Sequence, residues 1–421
     1  MTIGRQPFHH RLKIKNMKKM IIELLFTFSL IAGGASCNSD EVPAMPIENK
    51  QYKVLPHTTS MEVRWKDADG VARFCVEYAE DASMSAVQSV EVEAPSTNVL
   101  IEGLSPETDY FVRTRAYNGV RWTDWTDVIP IRTARFTATA ETYNLLGADI
   151  TTKGPSWEER KSHVGDIIRQ SDNDPDILCV QECSIAAQKA DMKTMLGDLY
   201  DYSENDKPTS SPGLVFWKKG TFELEEREII DLLNGKYPNT YEKQRYGHFV
   251  KLKHLASGCS ILVYSVHLRA GADAATAALR KEMIDNLCPL AARKSAETGC
   301  PVIVLGDMNC TPNRLIGGIP SSPQVYKSHG FLDTFTQTRQ RTNENYATYS
   351  SSAAVVEDCR IEVGEGGSRR IDYIFTYPES GVTTTRYATV LNFAEGAANK
   401  LQSPLPSDHH PVRAELNFFY E

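Results

Sequence analysis

Pro301-Val302-Ile303-Val304-Leu305-Gly306-Asp307-Met308-Asn309 is a short apolar run that stops abruptly in a glycine, an aspartate and an asparagine. A run of this length without polar alternation is the pattern of a strand covered on both faces. The same device occurs three more times. Residues 136–146 end near Asn144, residues 176–181 end at Glu182, and residues 261–266 end at His267. Buried strands that each finish in a polar group can bring those groups to one rim of a sheet. Arg370-Ile371-Asp372-Tyr373-Ile374-Phe375 adds an aspartate inside an apolar strand, where an ionised carboxylate needs a partner. Ser407-Asp408-His409-His410 offers a carboxylate and an imidazole that can be that partner. Helical segments at residues 157–170 and 274–293 fall between the apolar runs, so an α/β domain is expected from residue 135 to 421.

The whole chain has 421 residues, 41% hydrophobic and 24% charged. These values exclude a disordered chain, a collagen and a multi-span membrane protein. The formal charge is −8, and from Cys37 onward 40 basic residues face 53 acidic ones, a net −13. A general nucleic-acid binder carries the opposite sign.

The first 36 residues read as an export signal: the basic residues Arg11, Lys13, Lys15, Lys18 and Lys19, then an apolar stretch, then Ala32-Gly33-Gly34-Ala35-Ser36 before Cys37. Small residues ahead of a cysteine resemble a bacterial lipoprotein cleavage site, with Cys37 acylated and membrane-held. Gly34 departs from the larger aliphatic residue usual at that place. The acidic Ser39-Asp40-Glu41 resembles the surface-export signals of Bacteroides-type lipoproteins, which implies the outer membrane or cell surface of a Gram-negative bacterium. Residues 37–45 form a linker. The eight later cysteines lack zinc-finger spacing and are expected to be small buried hydrophobes with one or two bridges.

Residues 46–134 read as short alternating strands separated by turn residues, an all-β sandwich. Gly103-Leu104-Ser105-Pro106-Glu107-Thr108-Asp109-Tyr110 resembles the fibronectin type III domain, with Trp65 as core tryptophan and Tyr110 at the tyrosine corner. Trp122-Thr123-Asp124-Trp125-Thr126 resembles the Trp-Ser-x-Trp-Ser box of some such domains. Arg113 and Arg115 share a strand face, so a cation-π ladder is expected, with glycan binding as the alternative.

Taken in order, Asn144, Gln181-Glu182, His267-Leu268, Gly306-Asp307-Met308-Asn309, Ile371-Asp372-Tyr373 and Ser407-Asp408-His409 resemble the motifs of the exonuclease/endonuclease/phosphatase superfamily. The resemblance implies a four-layer α/β/β/α sandwich that hydrolyses phosphoesters by activated water with Mg²⁺, or Mn²⁺ in its place. It makes Glu182 the principal metal ligand, with Asn144 holding that ligand sphere or the phosphate and Asp408 completing a metal site or a water-mediated contact. Asp307 becomes the base, positioned by Asn309, although superfamily members differ on whether the aspartate or the histidine takes the proton. His409, held by Asp372, and His267 donate to the phosphate. Arg269 reaches a phosphate or remains a solvated loop charge.

Substrate identity is less legible. Short pairs such as Lys218-Lys219 do not make a nucleic-acid groove, so a secreted nuclease is disfavoured. A phosphomonoester or small phosphodiester remains, on a sugar, inositol, glycan or lipid headgroup. A non-catalytic surface binding protein on the same fold is the competing reading.

Overall fold

The computed structural model describes residues 52–66, 69–169, 174–207, 213–237, 245–350, 369–393 and 400–420. The export signal, the linker, Cys37 and Cys359 lie outside them. The chain divides into two compact units, residues 1–137 and 138–421.

The first unit carries β1 (Lys53–Pro56), β2 (Ser60–Arg64), β3 (Arg73–Ala79), β4 (Gln88–Glu93), β5 (Asn98–Glu102), β6 (Asp109–Tyr117) and β7 (Ile129–Arg132). They form a three-stranded sheet, β1-β2-β5, and a four-stranded sheet, β4-β3-β6-β7. Alternate residues of β2 and β6 point inward, so Met61, Val63, Tyr110, Val112 and Ala116 share one core with Trp65 and Phe74. Trp65 packs on Phe74 with ring centroids 4.9 Å apart, and the Tyr110 hydroxyl accepts a hydrogen bond from the Ser105 amide at 3.0 Å. The guanidinium of Arg115 lies 4.5 Å from the ring centre of Trp122 and 4.2 Å from that of Trp125, with Arg113 at 4.5 Å from Trp125. Arg73 extends this ladder from β3 onto Tyr117.

In the second unit the strands are β8 (Phe136–Asn144), β9 (Ile177–Gln181), β10 (Tyr200–Glu204), β11 (Leu214–Lys218), β12 (Phe222–Asp231), β13 (Tyr246–His254), β14 (Ser260–His267), β15 (Val302–Asp307), β16 (Leu332–Asp333), β17 (Arg341–Thr342), β18 (Asp372–Thr376), β19 (Val382–Thr389) and β20 (Val412–Phe418). The helices are α1 (Trp157–Ile168), α2 (Ala186–Leu196), α3 (Ala274–Thr298), α4 (Ser322–Ser328) and α5 (Thr334–Gln337).

Two mixed sheets result, β10-β11-β9-β8-β20-β19-β17 and β12-β13-β14-β15-β18-β16. Val164, Ile167 and Ile168 of α1 and Met192 and Leu196 of α2 cover the first through Tyr143, Leu178, Val180 and Phe216. Met283, Ile284, Leu287 and Ala291 of α3 cover the second through Tyr264, Val266, Val302 and Val304. Between the sheets the buried Gln181 spans the gap, accepting from Thr142 at 3.1 Å and donating to Ser265 at 3.5 Å. This is the expected α/β/β/α layering. On β8 the fully buried Glu141 accepts from Arg413 of β20, Nε to Oε2 at 2.8 Å.

The expectation of one or two disulfides is corrected: Cys75, Cys179, Cys183, Cys259, Cys288, Cys300 and Cys310 are all free thiols, and all but Cys259 are buried as small hydrophobes. No helix among the described residues is long and apolar enough to cross a membrane.

Candidate active site

Strand register assembles the first part of the site. In the parallel pairing of β14 with β15, His267 sits opposite Asp307, and in the antiparallel pairing of β15 with β18, Asp307 sits opposite Asp372. Three polar residues far apart in sequence thus form one row across neighbouring strands, because paired positions project to the same face. Gly306 makes the close pairing possible. Its φ is 151°, and a Cβ there would lie 1.8 Å from the Val266 carbonyl oxygen.

The other sheet supplies Asn144 and Glu182. Asn144, the last residue of β8, pairs with Gln181, so Glu182 is the first residue beyond β9. Glu182 adopts φ 56°, a left-handed conformation uncommon for this residue type, and such strain clusters at functional positions. Its carboxylate accepts from Asn144 Nδ2 at 3.0 Å and from the Gly147 amide at 3.2 Å. Asn144 Nδ2 also donates to Asp307 Oδ2 at 3.1 Å, joining the two sheets. The Asn144 oxygen accepts from the Leu146 amide at 3.0 Å, which fixes the side chain with its amide nitrogen on the two carboxylates.

Asp307 is fully enclosed. Its Oδ1 accepts from the Asn309 amide at 2.7 Å, and its Oδ2 lies 3.3 Å from Asn309 Nδ2, 3.5 Å from His267 Nε2 and 3.8 Å from His409 Nε2. Burial first, then the neighbouring Asp372 charge, lift its carboxyl to about 6. His409 Nδ1 is 2.9 Å from Asp372 Oδ2, which fixes the ring. Burial opposes a charge on that ring, but Asp372, Asp307 and Asp408 together outweigh burial and push it up to about 10. The Asp372 strand end is itself held by Thr348, whose hydroxyl accepts from the Ile371 and Asp372 amides at 3.0 and 3.2 Å.

Glu182 lies 4.0 Å from His267 Nε2. Burial acts to raise its pKa, yet His267, the Asn144 hydrogen bond and His409 hold it below the usual carboxylate value. Asp408 is buried, with Oδ1 4.0 Å from His409 Nε2 and Oδ2 2.6 Å from Lys153 Nζ. Asn309, like Glu182, is left-handed at φ 47°, and it donates to the Leu268 carbonyl at 3.1 Å.

Arg269 is half-buried, with its backbone carbonyl fixed at 2.8 Å by the buried Arg280 of α3. Its charge is felt by Arg245, a buried residue just before β13, where burial first and then Arg269 hold the guanidinium down at about 10.

The sequence reading did not single out Lys153, Arg245 or Thr348, and it left Arg160 as a helix residue. Arg160 is fully buried and donates to the carbonyls of Leu145, Leu146 and Pro406, tying the segment after Asn144 to the segment before Asp408. A buried arginine in a first turn gives no signal in one dimension. Tyr373 and His410 are engaged with the surrounding fold. The Tyr373 hydroxyl donates to the Cys310 and Arg370 carbonyls, and burial followed by His409 holds His410 down at about 4.

The donor set fits a hard divalent cation. Four carboxylates, Glu182, Asp307, Asp372 and Asp408, converge with two imidazoles, an excess of oxygen donors and negative charge of the kind Mg²⁺ takes. Asp307, Asp372 and His409 bring ligand atoms within 4.8 Å of one another, but the imidazole there is engaged with Asp372. Glu182, at the more open edge, is the carboxylate better disposed toward an ion.

The two-sheet α/β sandwich thus carries a row of acids and imidazoles at one rim. Residues 142–409 match the profile of the Endonuclease/Exonuclease/phosphatase family, and the chain belongs to that family. Residues 52–132 match the fibronectin type III domain.

Among solved structures, an endonuclease/exonuclease/phosphatase family protein from Bacteroides thetaiotaomicron is similar at TM-score 0.53 and 22% identity, covering 68% of this chain and 99% of its own. A mannosyl-6-phosphatase of the same organism is similar at TM-score 0.51 and 20% identity, over 67% of this chain and 100% of its own. A Bacteroides vulgatus family protein is similar at TM-score 0.50 and 20% identity, over 67% and 99%. At these identities the likeness is one of fold. No curated protein matches the chain in sequence.

Proposed function

We propose that the protein is a divalent-metal-dependent phosphoesterase that hydrolyses a phosphomonoester or small phosphodiester, such as a sugar phosphate, inositol phosphate or lipid headgroup. The observation that carries this reading is the meeting of Asp307 with His409, 3.8 Å apart, where the imidazole is held charged by Asp372.

In-line hydrolysis needs a base for the attacking water and donors for the nonbridging oxygens. Asp307, lifted to about 6, is ionised at neutral pH and still basic enough to accept a proton, so activity rises as pH climbs through 6. His409, held charged by Asp372, is read as the donor, which leaves the proton to Asp307. His409 Nε2 is left to donate to the phosphate, since Nδ1 is engaged. His267 donates beside it, and Asn309 fixes Asp307 through two hydrogen bonds. A Mg²⁺ or Mn²⁺ ion on Glu182 supplies charge neutralisation at the phosphate oxygens when bound.

The acidic chain and the mannosyl-6-phosphatase among the similar structures favour a small phosphorylated molecule over a polynucleotide. Export by the first 36 residues and acylation at Cys37 belong to the same proposal, and incorporation of labelled palmitate, lost in Cys37→Ala, tests them.

The activity test is chelator-reversible hydrolysis of chromogenic phosphomonoesters and phosphodiesters by wild type and Asp307→Ala. A loss of about 10³-fold or more is expected in the variant. Equal inertness of both proteins with Mg²⁺ across a broad panel would favour a binding protein. Cleavage of plasmid DNA with steep salt dependence would favour a nuclease.

A further inference from the structure

Lys153 lies in the segment between β8 and α1, outside every motif that the sequence reading assembled. Its ammonium is 2.6 Å from Asp408 Oδ2 and 5.4 Å from the ring centre of Tyr349. Tyr349 in turn lies 4.9 Å from the His409 ring and pairs with His409 as an isolated antiparallel bridge. Lys153 is 36% exposed whereas Asp408 is 1% exposed, so the lysine comes in from the solvent side and ends on a buried carboxylate.

These contacts set an order across the site. Asp307 Oδ2 is 3.8 Å from His409 Nε2, and that same nitrogen is 4.0 Å from Asp408 Oδ1, with Lys153 on the far oxygen of Asp408. In-line displacement puts the attacking and leaving oxygens on opposite sides of phosphorus. Assigning the water to Asp307 and the phosphate to His409 leaves the Asp408–Lys153 pair as the charged group beside His409 that is open to the leaving oxygen.

We infer that Lys153 is the leaving-group ligand of this site, its ammonium held by Asp408 and donating a hydrogen bond to the ester oxygen as that oxygen departs. The inference rests on the phosphoesterase reading. As the water oxygen bonds to phosphorus, the water proton passes to Asp307. The ester P–O bond breaks with its electron pair on the leaving oxygen, which Lys153 stabilises and which takes a proton from solvent at the exposed rim. Asp307 returns its proton to solvent.

The test compares wild type, Lys153→Met and Lys153→Arg on two monoesters, 4-nitrophenyl phosphate, whose leaving group needs little help, and a primary sugar phosphate, which must expel an alkoxide. For Lys153→Met, kcat/KM is expected to fall about 10²-fold on the sugar phosphate and less than about threefold on the aryl ester, with Lys153→Arg between. The dependence of rate on leaving-group basicity steepens accordingly, and Lys153→Arg, which keeps a cation on Asp408, holds the melting temperature near that of wild type. Equal losses on both esters would make Lys153 a holder of Asp408 or of the phosphate alone, and no loss on either would remove it from the reaction, so either result overturns the inference. Should wild type turn over diesters alone, the same comparison is made on an aryl and an alkyl phosphodiester; inertness across the whole panel of monoesters and diesters would instead overturn the phosphoesterase reading, and the role of Lys153 with it.

Discussion

Replacing Asp372 by asparagine removes one charge and little volume beside His409. At the observed 2.9 Å, a unit charge is worth about 6 kcal/mol at an effective dielectric of about 20, roughly four pKa units. Burial of the ring works against its charge, and Asp307 and Asp408 remain, so the imidazole is expected to drop from about 10 toward neutrality. His409 has to be charged to donate most strongly, hence the alkaline limb of kcat moves down by about three pH units, and kcat at pH 8.5 falls about 30-fold. Stability follows the same sign. His409 has a folded pKa above the unfolded value of about 6.5, so the pair's contribution is complete below that pH and is lost as pH rises through about 10. In Asp372→Asn that slope is absent. The assay is kcat against pH on a chromogenic phosphomonoester at saturating Mg²⁺, with urea unfolding at matching pH values. An alkaline limb left in place, together with kcat within threefold of wild type, would refute the assignment of His409 as a charged donor held by Asp372.

Glu182→Gln is expected to weaken Mg²⁺ and Mn²⁺ binding by more than about tenfold in calorimetric titration without altering the fold, and unchanged affinity would move the ion away from Glu182. Glu141→Gln strands the buried Arg413 guanidinium without its carboxylate and is expected to cost about 3–5 kcal/mol in urea unfolding, so a change under about 1 kcal/mol contradicts the pairing. Arg115→Ala removes the cation between Trp122 and Trp125 and is expected to lower the stability of the fibronectin-like unit by about 1–2 kcal/mol, read from the tryptophan fluorescence transition of the full chain. An unchanged transition there would leave the ladder without energetic weight.

The strands that end in Asn144, Glu182, His267 and Asp307 were legible because strands buried on both faces announce themselves as apolar runs, and a polar residue closing such a run stands out. Strands β4 and β12 were not, since their solvent faces carry Gln88, Glu91, Glu223 and Glu226 and dilute the signal. Nor does spacing along the chain reveal that His267, Asp307 and Asp372 share one row, because register across strands separated by tens of residues is a tertiary fact. Arg160 was underrated for a related reason. It is buried by satisfying the backbone carbonyls of Leu145 and Pro406, and no pattern in sequence marks a carbonyl as needing a guanidinium. Arg280, read from the sequence as an anchor of the fold, is buried in the same way at Arg269 and Gly271. The disulfides went wrong because cysteine count was weighed with export, whereas the packed layers accommodate the thiols as small apolar groups.

The row His267–Asp307–Asp372 is fixed by the main-chain ladder and by a glycine that nothing larger can replace, whereas Lys153, Arg269 and Tyr349 hang from connecting segments. Descendants of this chain can therefore exchange the groups that greet the departing half of a substrate, one loop at a time, while the proton-handling row passes unedited from parent to offspring.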